Sequence, residues 1–170
     1  RAARYLPAGS AHVRRVVERL LSALRTPSEL VQEAVASCLP ALVRASAAAK
    51  DVPSIVDRLF VDLLHGDKYA TRRGAAYGLA GVVKGRGVSA IRELRILARL
   101  SEAAHDTSTT TTRQGALFAY ELLASTLHVL LEPYVDGILA DLLLCFGDTH
   151  ADVREATQDA ARVLMRSLSG

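Results

Sequence analysis

Four short strings recur at nearly constant spacing along the chain: Val31-Gln32-Glu33-Ala34, Thr71-Arg72-Arg73-Gly74, Thr112-Arg113-Gln114-Gly115 and Val153-Arg154-Glu155-Ala156. Their offsets of 40, 41 and 41 residues match a unit of two helices joined by a turn. One such unit cannot bury its own apolar face, so the units must stack and share a continuous core. A second echo supports the period. Pro53, Ile55, Leu59 and Leu63 return 80 residues later as Pro133, Val135, Leu139 and Leu143. Helical periodicity alone would also allow a four-helix bundle, but a two-helix period repeated four times favours a superhelix. The expected fold is therefore all-α, an α-α superhelix of about four antiparallel helix pairs.

Turn and cap residues place eight predicted helices at about 12–24, 29–46, 53–65, 69–84, 89–104, 113–127, 133–146 and 152–167. Ser28 and Asp51 stand at helix starts, Pro53 and Pro133 suit first turns, and Gly66, Gly85, Gly87 and Gly147 mark ends. The hydroxylated run 106–112 is predicted as a linker, because short β-branched and hydroxyl side chains compete with helical hydrogen bonds. One domain covers 1–170, with repeats at about 11–46, 51–85, 88–128 and 132–168. Small residues at Ala34, Gly74, Gly115 and Ala156 are expected to let each second helix approach its neighbour closely. The chain opens on Arg1 in what reads as the tail of a helix and has no polar terminal cap. It is expected to be a piece of a longer polypeptide.

Composition narrows the function. Half of the residues are hydrophobic, only 5% are aromatic and Trp is absent, which suits close helix packing and disfavours disorder or a sheet. The net charge of +3 permits an acidic partner without requiring one. Cys38 and Cys145 lie in apolar helical stretches and are expected to be buried free thiols, as in a reducing cytosolic compartment. No apolar run is long enough to span a membrane. The five histidines are dispersed, without metal-ligand spacing. Lys84-Gly85-Arg86-Gly87 follows a helix and lacks a phosphate loop's spacing, so it is expected to be an inter-repeat turn. Nothing points to a catalytic residue, a metal, a cofactor or a small-molecule substrate.

Two sets of arginines stand out. Arg72, Arg113 and Arg154 share one repeat position and are expected to form a structural ladder with acids near the preceding turn, Asp67, Asp106 and Asp148. A central basic group holds Lys68, Arg72, Arg73, Lys84, Arg86, Arg92, Arg95 and Arg99, with Glu93 as the acidic interruption between Lys84 and Arg99. Arg86, Arg92, Arg95 and Arg99 are candidate contacts to ribosomal RNA phosphates or an acidic protein. An ordinary solvated face is the competing reading. The tyrosines do not interleave with this surface, so single-stranded RNA readout is not expected. Tyr77 and Tyr120 are expected to pack between repeats.

Some strings are more specific. Asp67-Lys68-Tyr69 with Arg72-Arg73-Gly74-Ala75-Ala76-Tyr77-Gly78-Leu79-Ala80-Gly81-Val82-Val83-Lys84-Gly85 resembles the central region of the general-control translational activator family. Arg113-Gln114-Gly115-Ala116-Leu117-Phe118-Ala119-Tyr120-Glu121, Leu131-Glu132-Pro133-Tyr134-Val135 and Asp152-Val153-Arg154-Glu155-Ala156 are similar to it one and two repeats later. That family consists of large HEAT-repeat scaffolds, and fungal translation elongation factor three has a similar HEAT portion. The likeness is close from residue 63 to 168 and looser from 1 to 61. It implies a cytoplasmic, ribosome-associated scaffold that promotes activation of the initiation factor two alpha kinase in starvation or ribosome stalling. In the family the kinase is bound farther toward the carboxyl end. The 107–112 linker departs from the family's more charged pattern. A structural spacer or protein-only adaptor remains the alternative.

Overall fold

The computed structural model describes residues 11–44 and 51–168, with side chains from residue 14 onward. Among the described residues every regular element is helical: α1 (Ala11–Ala23), α2 (Glu29–Arg44), α3 (Val52–His65), α4 (Tyr69–Arg86), α5 (Ser89–Glu93), α6 (Ile96–Ala104), α7 (Thr110–Leu127), α8 (Val135–Phe146) and α9 (Ala151–Leu168). A 3-10 turn at His128–Tyr134 leads into α8. The second helices α2, α4, α7 and α9 stack on one another in order, while the first helices touch their counterparts sparsely. The core is therefore a ribbon running through all the layers, centred on α4 and α7. The predicted end of the second helix at Ser46 and the residue Tyr5 lie outside the described residues.

The stacking is set by glycine. A side-chain carbon at Gly74 would lie 1.7 Å from the Leu24 carbonyl oxygen, and one at Gly115 would lie 2.1 Å from that of Leu63. Farther along α4, Gly81 and Gly85 bring the helix against the α2 backbone at Ala36 and Pro40. Pro40 has no N–H, so it leaves the Ala36 carbonyl without its helical partner. That oxygen faces the Gly81 α-carbon, where a weak C–H···O contact is available.

Three expectations about elements are corrected. Gly85 does not end its helix: α4 continues to Arg86, and Gly87 at φ 91° makes the turn. The fifth predicted helix is broken in two by Arg95 in left-handed backbone at φ 51° and ψ 35°. Ile91 and Ile96 are both buried, yet five residues of continuous helix would set them about 140° apart. The break rephases the chain so that both reach the core. Finally, α7 begins at Thr110, inside the predicted linker. Asp106 accepts from the Ser108 N–H at 2.7 Å and from the Ser108 and Thr109 hydroxyls. The Thr112 hydroxyl reaches back to the Leu64 carbonyl at 3.2 Å. The hydroxyls that disfavour helix in isolation here support its first turn.

Both cysteines are free, but only Cys145 is buried. Cys38 is exposed because α2 buries Gln32, Val35, Leu39 and Val43 on its other side.

Candidate functional site

The arginine ladder is an inter-repeat seam whose acceptors are largely main-chain carbonyls. Arg72 donates through Nη1 to the Gly66 and Asp67 carbonyls at 2.8 and 3.2 Å, and through Nη2 to Gln114 Oε1 at 2.7 Å. Arg113 donates to the Asp106 and Thr109 carbonyls at 2.7 and 3.2 Å. Its Nε meets Asp148 Oδ2 at 2.6 Å. Arg154 donates to the Asp148 carbonyl at 2.7 Å. Asp67 and Asp106 thus meet their arginines through the backbone, and the carboxylate that Arg113 uses comes from the following repeat. An extended arginine reaches past the short acid to the main-chain carbonyls at the turn, which the helices leave without a partner.

Gln32 holds the same position in the first pair. Its Nε2 donates to the Leu24, Thr26 and Ala70 carbonyls at 3.1, 2.8 and 2.8 Å. Gln32, Arg72 and Arg113 therefore each tie their own turn to the next repeat. Burial alone would raise the Asp148 pKa, but the Arg113 guanidinium and hydrogen bonds from His150 outweigh it and hold it down to about 2.

A second tie was missed in the sequence because its partners are 44 and 48 residues away. Arg73, counted there with the basic group, meets Glu29 of α2 at 3.0 Å through Nε and Glu121 of α7 through both terminal nitrogens. Its guanidinium lies over the Tyr77 and Phe118 rings. One side chain thereby binds three successive second helices together. Tyr120 is buried and donates to Asp141 Oδ2 at 2.5 Å, while Tyr77 is half-buried beside Glu29.

Of the remaining basic candidates, three lie beside carboxylates. Arg99 meets Asp57 at 2.9 Å and stacks 3.6 Å from the Phe60 ring centre. Arg95 faces Glu102 at 3.5 Å, and Arg86 faces Glu93 at 3.9 Å. Arg92 is exposed, with no carboxylate in ion-pair range among the described residues. Among the described residues no group of three or more His, Cys, Asp or Glu is arranged to hold a metal ion. No described helix is long and apolar enough to cross a membrane.

Stacked helix pairs, small residues at the stacking points and a buried ladder define an α-helical repeat scaffold of the HEAT type. Residues 72–170 match the family described as EF3 N-terminal HEAT repeat, and the chain belongs to that family. It is 47% identical over 167 residues to the Stalled ribosome sensor GCN1 of Mus musculus, covering 98% of this chain. It is 44% identical over 167 residues to Protein ILITYHIA of Arabidopsis thaliana, again over 98% of the chain. The eIF-2-alpha kinase activator GCN1 of Saccharomyces cerevisiae is 37% identical over 169 residues, or 99% of the chain. This chain spans 6% of the length of each of these relatives. The general-control resemblance therefore extends through the first 61 residues as well. An engineered protein of solved structure superimposes with a TM-score of 0.50 at 22% identity, covering 89% of this chain and 63% of that one, and shows the fold alone.

Proposed function

We propose that this chain is a non-catalytic scaffold segment of a cytoplasmic, ribosome-associated translational activator that promotes activation of the initiation factor two alpha kinase. The observation that carries this reading is 37–47% identity over nearly the whole chain to proteins named as a stalled ribosome sensor and as kinase activators. The seam geometry supports a mechanical role. Buried ties from repeat to repeat hold successive layers together, so that contacts from separate repeats can act together. Kinase docking is assigned to a region outside this chain. Arg86, Arg92, Arg95 and Arg99 are the proposed contacts to ribosomal phosphate or acidic protein.

A spacer role without direct ribosome contact is the second reading. It is supported by the acids that face Arg86, Arg95 and Arg99. Binding of the chain to purified ribosomes across a salt series separates the two. The comparison proteins are Arg92→Ala and the variant with all four arginines changed to Ala, each first shown to keep its helical content. The contact reading expects salt-sensitive binding whose logarithmic slope falls by about 0.7–0.9 for each phosphate contact removed. Equal binding by all three proteins, or none by any, leaves the spacer.

A further inference from the structure

Between α6 and α8 the first-helix side of the scaffold opens into a hollow of about 300 Å³. Leu97 of α6, Tyr134 at the end of the 3-10 turn and Ile138 in the first turn of α8 give it apolar walls. Its floor is polar. The Asp141 side chain is 6% exposed there, with Tyr120 OH donating to Oδ2 at 2.5 Å and Ser101 Oγ donating to Oδ1 at 3.0 Å. These hydroxyls orient the carboxylate without bringing a charge to it. Among the described residues no Lys or Arg pairs with Asp141, and the one ionisable nitrogen within 4 Å is His105 Nδ1, at 3.6 Å. That nitrogen also lies 2.8 Å from the Ser101 carbonyl.

The stretch of sequence that supplies α7 and α8 carries the same sign, although its Glu121 and Asp148 are paired with Arg73 and Arg113. From residue 114 to 153 the sequence contains no Lys or Arg, yet it carries Glu121, Glu132, Asp136, Asp141, Asp148 and Asp152. The chain as a whole is net positive. At the edge of the hollow Gly137 occupies the first turn of α8, where a side-chain carbon would meet nothing within 4 Å. A helical glycine normally costs stability and is retained where something approaches closely. Here none of the described residues does. Gly137 keeps the mouth of the hollow open.

We propose that this hollow is a docking site for a lysine or arginine side chain presented by an apolar segment of a partner protein, the methylene stem against the apolar walls and the cation on Asp141. The long stem of a basic side chain suits such walls, and a carboxylate already withdrawn from water and pinned by two hydroxyls is preorganised for a cation. Nucleic acid is disfavoured because the acid lining the hollow is the Asp141 carboxylate, with no Lys or Arg beside it among the described residues. This site is separate from the ribosome contacts proposed above and does not depend on them.

The test uses the chain with methyl-labelled Ile and Leu, titrated with acetyl-Gly-Leu-Ala-Arg-Ala-Leu-Gly-amide and with its twin carrying neutral citrulline for arginine. The arginine peptide is expected to shift the Ile138 and Leu97 methyl resonances, and the citrulline peptide to bind at least about ten-fold more weakly. Asp141→Asn keeps an acceptor for one hydroxyl, turns an N–H donor toward the other and removes the charge, and it should lose the same preference. Gly137→Leu should close the hollow and abolish the shifts while helical content is kept. It also serves where Asp141→Asn does not fold. The proposal is overturned by no shift with either peptide, by equal binding of the two peptides, or by shifts that survive Gly137→Leu.

Discussion

A methyl group at Gly74 or Gly115 would fall inside the contact radius of a main-chain oxygen, Leu24 in one case and Leu63 in the other. A flexible side chain can move aside, but these oxygens belong to the ends of the preceding first helices and can yield only if the layers part. Gly74→Ala and Gly115→Ala are each expected to lose at least about 2 kcal/mol despite the better helix propensity of alanine. Gly137 gives the internal control, since a side-chain carbon there meets none of the described residues within 4 Å. Gly137→Ala is expected to gain about 0.5–1 kcal/mol from the reduced freedom of the unfolded chain. Urea unfolding midpoints of the three variants read the contrast directly. Equal effects at all three positions would mean that propensity, rather than close approach, decides these sites.

The seam between the α6–α7 and α8–α9 turns hangs on Asp148, which binds Arg113 through its carboxylate and Arg154 through its carbonyl. Its pKa is lowered from 3.8 to about 2, so the unfolded chain takes up the proton first as the solution is acidified. The contribution is whole above about pH 4 and drains away between pH 4 and pH 2, amounting to about 2 kcal/mol. Asp148→Asn should make stability less steep in pH across that window, as followed by urea unfolding. An unchanged slope would mean that Asp148 titrates alike in the folded and unfolded chain. The ladder was legible because one residue type recurs at one repeat position. Its acceptors were not, since turn carbonyls leave no mark in a sequence and Gln32 replaces the arginine in the first pair. The rephasing at Arg95 shows only as a five-residue gap between Ile91 and Ile96, and the Arg73 tie to Glu121 spans 48 residues. Local rules also misplace the start of α7 and the exposure of Cys38, because tertiary partners decide both.

Layers in a stack are unequal, because an inner layer has neighbours on two sides and an outer one on a single side. In α7 every residue from Thr112 to Tyr120 is buried, and the helix packs against α3, α4, α6 and α9. In α1 Val17 and Leu21 are buried, while most of the other described side chains of that helix lie open to solvent. The buried ties follow the same gradient. Gln32, Arg72, Arg73 and Arg113 all bind across α2, α4 and α7 or the turns beside them, whereas α1 meets α3 through exposed pairs such as Arg14 with Asp51 and Arg58 with Glu18. Exposed pairs of this kind contribute about 0–1 kcal/mol, so α1 is held mainly by its short apolar stripe. Native-state hydrogen exchange should therefore grade along the chain, with α7 and α4 most protected, α9 intermediate and α1 opening first. Arg73→Met should lower protection in α2, α4 and α7 together, because its guanidinium bonds from α4 to both α2 and α7. A single common exchange energy from α1 to α9 would mean that the stack opens only as a whole. In that case the seam couples the layers more strongly than neighbour-by-neighbour packing does, and the fixed curvature required of a scaffold would belong to the complete array rather than to each pair of repeats.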